Sequence, residues 1–420
     1  MNYKFFKVVV GLLLTFFLSF SLFASSDEPL FDKQTFTEYD SILVVEEGVG
    51  EIKAWQASKS LIPASLIKLN TAYLAIDKWG VDHAFQTEFY RYQNQLWVKG
   101  YGDPYLISEE LDLVVDRLRQ FDLSGVDSLY IDDSYFLEEA VPGRSNVNDP
   151  YNAPLSAVAA NFNTVMLKSD KGEIQSAEQQ TPLTKTAIKL AKQNQLGVSK
   201  KGKAQRINLI NRDNAQLHFA QLLIAKLEKQ DWQLTVNGEV PEKAQLIYRH
   251  TNSKTVAQII QGMLEFSNNF MANQLFLNLS STPHSELVSF KASSAYAQNH
   301  LKAAFQWLEF CIVEGSGLSR NNQLSARQID DLLVELKPYK HLFKKVKNNK
   351  ADIFAKTGTL DGVRTFAGYI KLRGKDYRFV FMFNRKVPWQ YREKLLETLV
   401  EQLVSRQQQS NKILPVNQRN

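Results

Sequence analysis

The strongest constraint on the fold comes from strand patterns at opposite ends of the chain. Residues 41–55 read SILVVEEGVGEIKAW, two short runs around a glycine-containing turn. Residues 365–384 read TFAGYIKLRGKDYRFVFMFN and alternate apolar with polar side chains around a Gly-Lys-Asp turn, which is typical of a β-hairpin. Helical periodicity occurs at 254–279 and again at 391–406. These patterns predict an α+β fold in which both chain ends build one antiparallel sheet flanked by helices.

The stretch between the two ends has a different character. It mixes short strand patterns with turn-rich segments, and from 174 to 206 it is polar and rich in lysine and glutamine, which favours exposed loop or irregular surface structure. We therefore expect one α+β domain that is split by a long inserted region. The predicted units are a signal peptide at 1–26, the split domain at 27–85 and 251–405, the inserted region at 86–250, and a disordered tail at 406–420.

The N-terminus has the composition of an export signal. MNYKFFK carries Lys4 and Lys7, the uncharged run VVVGLLLTFFLSFSLF follows, and the small residues of ASSDEP end the run. This order predicts a secretory signal peptide; an uncleaved membrane anchor is the alternative, because the run is near the shortest length that spans a bilayer. Cys311 is the only cysteine, so no intrachain disulfide can form. An exported chain that relies on core packing is expected in the periplasm.

The charge balance argues against nucleic acid as a partner. The chain has 50 Lys and Arg against 44 Asp and Glu, a net charge of +6 at pH 7 in 420 residues. This small excess allows weak attraction to anionic surfaces, so peripheral membrane contact stays open. The lysine-rich tract at 185–206 is interpreted as a solvated face, with binding to an anionic glycan as the alternative. The histidines form no HExxH or Cys/His pattern, so neither a metal nor another cofactor is predicted.

One apolar helical stretch carries an unexpected cation. IPASLIKLNTAYLAI, residues 62–76, places Ser65 three positions before Lys68, and residues at this spacing share a helix face. A serine near a helix N-terminus becomes a nucleophile when a base stands beside it. Lys68 is such a base only if burial and neighbouring positive charge lower its pKa from ~10.4 to ~7, which costs ~4–5 kcal/mol. Because Ser-x-x-Lys also arises by chance, other motifs must decide.

Two further motifs follow in a characteristic order. FSNNFMANQLF holds Ser267 and Asn269, and FAKTGTLDGV holds Lys356 and Thr357 just before the hairpin pattern. Ser-x-x-Lys, Ser-x-Asn and Lys-Thr-Gly in this order form the motif set of serine β-lactamases and penicillin-binding proteins. A second Ser-x-Asn begins at Ser319, in a Gly- and Ser-rich segment. We prefer Ser267, because it precedes a helical stretch.

The polar side chains of these motifs have distinct chemical tasks. Ser267 and Asn269 can hydrogen-bond Lys68 and pass a proton to a leaving amine, and Asn269 can also hold a substrate amide. Lys356 offers positive charge to a substrate carboxylate and helps to lower the pKa of Lys68. The motifs therefore predict one site that contains a nucleophile, its base and a carboxylate receptor.

The backbone of the third motif is expected to contribute as well. Gly358 has no side chain, so a substrate backbone can lie close to the strand. The backbone N–H of Thr359, together with that of Ser65, would form an oxyanion hole in which one donor is worth ~3 kcal/mol of transition-state stabilisation.

The long separation between Ser65 and Ser267 distinguishes among possible relatives, because class A β-lactamases place these motifs far closer together. The chain resembles the low-molecular-mass class C penicillin-binding proteins, the D-alanyl-D-alanine carboxypeptidase/endopeptidase family, over about residues 38–404. Further segments that carry the resemblance are GYGDPYL (100–106), YNAPLSA (151–157), GSGLSRNNQLS (315–325) and AKTGTLDGVRTFAGY (355–369).

The resemblance implies a β-lactamase/transpeptidase-like domain interrupted by inserted domains. It implies cleavage of the D-Ala–D-Ala bond in peptidoglycan stem peptides, often also of peptide cross-links, and covalent inhibition by β-lactam antibiotics. It implies Ser65 as the acylated nucleophile and Lys68 as its base. The other implied site residues assist proton transfer or bind the substrate carboxylate and oxyanion: Ser267, Asn269, Lys356, Thr357, Gly358 and Thr359.

Two positions depart from the pattern of the relatives. Asn268 stands where many relatives have Asp, and Glu314 stands where Asp is usual before Gly-Ser-Gly. We expect little effect from the first and a tuning of the nearby loop from the second. Two other functions stay open, a β-lactamase or esterase with the same residues and a cell-wall-binding scaffold without turnover. A Ser-His-Asp hydrolase is disfavoured, because no G-x-S-x-G motif occurs.

Overall fold

The computed structural model describes residues 30–145, 149–170, 172–194, 203–282 and 288–413. The predicted signal peptide at 1–26 lies outside the described residues. Within the described part, no helix is both long and apolar enough to cross a bilayer.

Both chain ends build a single six-stranded sheet, as the sequence predicted. Its order is β11-β12-β13-β14-β1-β2, and every pair of neighbours is antiparallel. The hairpin turn lies at Arg373–Gly374, slightly before the predicted Gly-Lys-Asp, because Leu372 pairs with Lys375. Both turn residues have positive φ, which suits a two-residue hairpin loop. The strands are β1 Asp40–Glu46, β2 Gly50–Trp55, β11 Lys344–Val346, β12 Asp352–Leu360, β13 Val363–Leu372 and β14 Lys375–Phe383.

A layer of helices packs on this sheet and confirms the predicted α+β class. Helix α8 contacts β1 and β14, and α1 packs against α5, α6 and α8. The interior is continuous from helix residues such as Leu69 and Ile329 to sheet residues such as Val380, all fully buried. The helices of this layer are α1 Ile67–Trp79, α5 Val256–Phe266, α6 Asn269–Asn278, α7 Phe290–Phe305 and α8 Ala326–Glu335.

The middle of the chain forms two other sheets with their own apolar interiors. One has the order β10-β3-β4-β5-β9 and the other β7-β6-β8. These sheets begin at Ala84 and end at Thr255; that they form a separate inserted region stays a prediction. Their elements are β3 Ala84–Tyr92, β4 Gln95–Gly100, α2 Ser108–Leu118, β5 Ser128–Asp132, β6 Thr164–Asp170, β7 Glu173–Ser176, α3 Lys185–Gln193, β8 Gln205–Asn208, α4 Arg212–Leu227, β9 Gln233–Gly238 and β10 Gln245–Thr255.

The interpretation of 174–206 as loop is wrong for much of that tract. It contains α3 and parts of β7 and β8, while residues 195–202 lie outside the described part. Helix α3 buries Ala187, Leu190 and Ala191 on one face and exposes its lysines on the other. The apolar residues recur at helical spacing, but the many polar side chains between them masked the pattern.

The predicted start of disorder at 406 is also wrong. Helix α9 runs from Tyr391 to Ile413, because the glutamines after 406 are good helix formers. Residues 414–420 lie outside the described part. Residues 30–34 and the part of α9 from Leu395 onward form a small compact unit, in which the Phe31 N–H donates to Gln402 Oε1 at 3.0 Å.

The packing of helix α3, which the sequence did not predict, can be tested by mutation. Leu190 is 1% exposed within its cluster, so Leu190→Ala is expected to lower the local unfolding free energy by ~2–4 kcal/mol. Hydrogen exchange followed by mass spectrometry measures this as faster exchange of the α3 amides. The neighbouring Lys189→Ala, which removes an exposed side chain, serves as the control and should change exchange little. Equal exchange in both variants would contradict the packing of α3.

Candidate active site

Ser65 lies in a short 3-10 turn, Ala64–Leu66, that leads directly into α1. Lys68 lies in the first turn of α1, so the two side chains meet at the start of the helix as their spacing predicted. The Lys68 amine lies 3.1 Å from Ser65 Oγ. Ser65 is half-buried, whereas Lys68 is completely buried.

The amine of Lys68 has three polar neighbours inside the protein. Besides Ser65 Oγ, it donates to Asn269 Oδ1 at 2.7 Å and to the backbone carbonyl of Ser316 at 2.5 Å. Burial lowers the pKa of Lys68 to about 7, and the negative charge of Glu314 acts in the opposite direction. In a substantial fraction of the molecules the Lys68 amine is therefore unprotonated at neutral pH, as a general base must be.

The second motif lies at a sharp break between two helices. Helix α5 ends at Phe266, Ser267 follows with a φ of 54°, and α6 begins at Asn269. Asn268 caps α6 by accepting from the Met271 N–H at 3.0 Å. An Asp can accept the same bond, which explains physically why Asn is tolerated at this position. The break orients the side chains of Ser267 and Asn269 towards the two lysines of the site, whereas Asn268 bonds to the backbone of α6.

The third motif supplies the second buried lysine. Lys356 on β12 is 2% exposed, and its amine donates to Ser267 Oγ at 2.8 Å and to the Thr357 carbonyl at 2.8 Å. Burial lowers the pKa of Lys356 well below its ordinary value, and the positive charges of Lys68, Arg392 and Lys344 lower it further. The two lysines thus lie on either side of the α5–α6 break, each bonded to one of its polar side chains.

Gly358 makes close contact with the turn that carries the nucleophile. A Cβ at this position would lie 2.8 Å from the Ser65 nitrogen and 3.0 Å from the Pro63 carbonyl oxygen. The atom nearest to such a Cβ is Thr365 Oγ1, at 2.2 Å, and the backbone of the Ser65 turn comes next; that a substrate backbone also lies along this strand stays a prediction. Thr365 on the paired strand strengthens this contact by donating to the Pro63 carbonyl at 2.9 Å.

Sequence reasoning missed Arg392, which supports the third motif. Its guanidinium is buried and donates to the Gly358 carbonyl at 2.7 Å, to Thr359 Oγ1 at 3.1 Å and to the Thr365 carbonyl at 3.2 Å. Thr359 is exposed and Thr357 is half-exposed, so both present themselves to solvent beside the site. Arg392 had no recognisable signal, because it lies on an amphipathic helix where a charged residue is ordinary.

The Gly- and Ser-rich segment after Glu314 forms one wall of the site. Gly317 has a φ of 92°, and a Cβ there would lie 2.2 Å from the Ala64 carbonyl oxygen, so the segment presses on the Ser65 turn. Ser316 contributes the carbonyl that accepts from Lys68. The alternative motif serine, Ser319, accepts instead from the Asn321 N–H at 3.2 Å.

Comparisons with known proteins identify the family of the chain. The model of the D-Ala-D-Ala carboxypeptidase 3 (S13) family matches residues 41–345. The chain belongs to this family. A D-alanyl-D-alanine carboxypeptidase of Actinomadura sp. strain R39 is 32% identical over 108 residues, which are 23% of this S13 chain and 20% of that relative. The aligned part therefore spans about a fifth of the curated relative.

Solved structures show the same fold. Penicillin binding protein 4 (dacB) from Haemophilus influenzae matches with a TM-score of 0.68 and 19% identity, covering 88% of this S13 chain and 96% of that one. Bd3459, a predatory peptidoglycan endopeptidase from Bdellovibrio bacteriovorus, matches with a TM-score of 0.50 and 16% identity, covering 87% and 92%. Both likenesses extend across the middle of the chain as well as its ends.

A cavity of about 360 Å³ adjoins the α5–α6 break of this S13 chain. Ser267 and Asn269 line its edge, and Asn269 Nδ2 donates to the Tyr151 carbonyl at 3.2 Å. The middle region of the chain therefore reaches the site through the segment YNAPLSA. The aromatic side chains that line the cavity are Tyr105, Tyr151, Phe162, Phe266 and Phe270.

The tight contact at Gly358 gives a testable prediction. Gly358→Ala places a methyl group against the Thr365 hydroxyl and the backbone of the Ser65 turn, so we expect a loss of stability of ~1–3 kcal/mol, seen as a lower melting temperature. Gly262→Ala is the matched control, since the nearest atom to its Cβ is the flexible Met271 Cε at 3.4 Å. Equal melting temperatures for wild type and Gly358→Ala would show that the strand and the turn are not held together as described.

Proposed function

We propose that this S13 chain is a serine D-Ala-D-Ala carboxypeptidase/endopeptidase that acts on peptidoglycan stem peptides through an acyl-enzyme on Ser65. The observation that carries the proposal is the buried Lys68 amine, 3.1 Å from Ser65 Oγ with its pKa lowered to about 7. A lysine in this state accepts the serine proton at neutral pH. No other base is needed for the first step.

The acylation step uses the groups around Lys68. Neutral Lys68 takes the proton of Ser65, whose oxygen attacks the carbonyl carbon of the penultimate D-alanine. The oxyanion that forms accepts hydrogen bonds from the backbone N–H groups of Ser65 and Thr359. A preorganised donor of this kind stabilises the transition state by ~3 kcal/mol. The contact at Gly358 keeps the Ser65 turn beside β12, which supports this pairing of donors.

The leaving amine needs a proton when its bond to the carbonyl carbon breaks. The Ser267 hydroxyl accepts from Lys356, so its own proton is free to be donated to that amine. Lys356 can return a proton to Ser267 through its 2.8 Å bond. The proton that Lys68 took from Ser65 replaces the one lost to the leaving amine, so Lys68 is neutral again before the ester is hydrolysed. Asn269 holds Lys68 in place throughout, through the 2.7 Å bond to its amide oxygen. Water then attacks the ester with Lys68 as base, which releases the shortened peptide and regenerates Ser65.

The substrate carboxylate is expected at the Lys-Thr-Gly strand. Thr357 and Thr359 are accessible there, and the buried side chains of Lys356 and Arg392 lie behind them. A D-alanine carboxylate placed at these hydroxyls gains from the positive charge of Arg392, and its own negative charge favours the protonated form of Lys356. This positions the scissile bond over Ser65.

We further propose that the protein acts in the periplasm and that β-lactam antibiotics acylate Ser65. Export rests on the N-terminal sequence pattern alone. Acylation rests on the resemblance of a β-lactam to the D-Ala–D-Ala end of the substrate, and the related penicillin binding protein 4 of Haemophilus influenzae has been solved in complex with a β-lactam.

Covalent labelling tests the nucleophile. Labelled penicillin is expected to attach at one molecule per chain, and Ser65→Ala should abolish attachment because the attacking oxygen is gone. Ser319→Ala, which alters the alternative motif, is the control and should label like wild type. Mass spectrometry of the intact protein measures both. Undiminished labelling of Ser65→Ala would remove the proposed nucleophile.

Incubation with purified muropeptides tests the reaction. A carboxypeptidase shortens pentapeptide stems by one alanine, and an endopeptidase converts cross-linked dimers to monomers; mass spectrometry distinguishes the two. We expect at least one of these changes with wild type and neither with Ser65→Ala. Unchanged muropeptides together with rapid hydrolysis of penicillin would favour a β-lactamase, and the absence of both activities would favour a scaffold.

A further inference from the structure

Glu314 is a charged side chain that lies completely inside the protein, next to the site. Five neutral groups donate to its carboxylate. The Ser316 N–H and hydroxyl reach Oε2 at 2.8 and 2.6 Å, and Oε1 accepts from the Gly317 N–H at 2.7 Å, from Asn322 at 2.6 Å and from the Ser319 N–H at 3.2 Å. These five donors satisfy the hydrogen-bonding capacity of the buried carboxylate.

One peptide group joins this carboxylate to the base. The peptide between Ser316 and Gly317 donates its N–H to Glu314 Oε1, and its carbonyl accepts from Lys68 Nζ and, at 3.3 Å, from Ser65 Oγ. Polarisation of its N–H by a carboxylate makes the carbonyl a better acceptor. Glu314 is thus connected to the reacting atoms through a single rigid planar unit.

The same loop is anchored from its other side by neutral groups. Asn273 on α6 accepts from the Gly315 N–H at 2.8 Å and donates to Ser316 Oγ at 3.2 Å, and Thr71 on α1 donates to the Gly315 carbonyl at 2.8 Å. These bonds fix the position of the loop but add no charge. The negative charge beside Lys68 therefore comes from Glu314.

The charged groups around Lys68 can be assigned element by element. The loop presents Glu314, and β12 presents Lys356, with Arg392 and Lys344 adding their positive charges near Lys356. Among the residues that the structure describes, α6 presents the neutral Asn269 to the amine. Burial and Glu314 act on Lys68 in opposite directions, since burial disfavours the ammonium and the carboxylate favours it.

We propose that Glu314 is a positioning residue for acylation, which holds Lys68 against Ser65 through the Ser316–Gly317 peptide and sets, by its charge, the pH above which Lys68 acts as a base. This inference rests on the proposed function, because it takes acylation of Ser65 as the step affected. It gives the carboxylate before Gly-Ser-Gly a role in the reaction as well as in the loop.

The pH dependence of acylation by a chromogenic β-lactam separates this role from a purely structural one. In wild type the second-order rate constant should rise with pH and level off above the midpoint set by Lys68. Removing the negative charge makes the ammonium less favourable, so Glu314→Gln should move the midpoint to lower pH by ~0.5–1 unit. Glu314→Asp keeps the charge and should keep the wild-type midpoint. Glu309→Gln, the same change at an exposed position nearby, is the control.

Folding of the variants is controlled in the same experiment. The NH₂ group of Gln would face only hydrogen-bond donors, a mismatch that disfavours folding, so Glu314→Ala is included as a second charge-free variant. We expect the same shift of the midpoint for this variant. Its plateau rate should be at least ~10-fold lower, because no side chain then holds the Ser316–Gly317 peptide. An unchanged or raised midpoint in whichever charge-free variant folds would overturn the proposal. It would also be overturned if both fail to fold while Glu314→Asp matches wild type, since the carboxylate would then serve stability alone. Absence of acylation in wild type would instead refute the proposed function.

Discussion

The site depends on an amine that is held away from water. Lys68 is completely buried, and the fall of its pKa to about 7 from 10.5 corresponds to ~4–5 kcal/mol of destabilised ammonium. The fold sustains this cost because the surrounding packing is fixed by elements far apart in sequence: α1, the α5–α6 break, the loop after Glu314 and strand β12. Each of them, with the Ser65 turn that leads into α1, supplies at least one neighbour of the two lysines, so the base exists only when all four are in place.

Close backbone approach brings these elements together. Gly317 and Gly358 both press on the turn that carries Ser65, at distances where a Cβ would collide with backbone atoms. Arg392 donates to the Gly358 carbonyl of β12, and Thr365 on the neighbouring strand β13 donates to the Pro63 carbonyl. The result is a rigid setting for a reaction in which a misplacement of about 1 Å can cost a hundredfold in rate. The cavity beside Ser267 shows that the middle of the chain shares in building the site's surroundings.

Much of this could be predicted from the sequence, for identifiable reasons. Ser65 and Lys68 are local neighbours, and the alternating pattern before and after Arg373 specifies its own hairpin. Arg392 and the Ser316 carbonyl could not be predicted, because a backbone carbonyl leaves no sequence signal and a helical arginine resembles any surface charge. Helix α3 was missed because its four buried residues are outnumbered by polar ones. The tight contact at Gly358 depends on which backbone comes near, which only long-range packing decides.

Catalysis by this site requires that the amine of Lys68 loses its proton near pH 7 in the folded protein. The most direct test is an NMR titration of protein labelled with ¹³C at the lysine Cε, with the Lys68 signal assigned by its loss in Lys68→Met. We expect a titration midpoint near 7, about three units below that of the exposed lysines. A Lys68 signal that titrates with the exposed lysines, near pH ~10.4, would contradict the role of Lys68 as the base, because a protonated amine could not take the proton of Ser65.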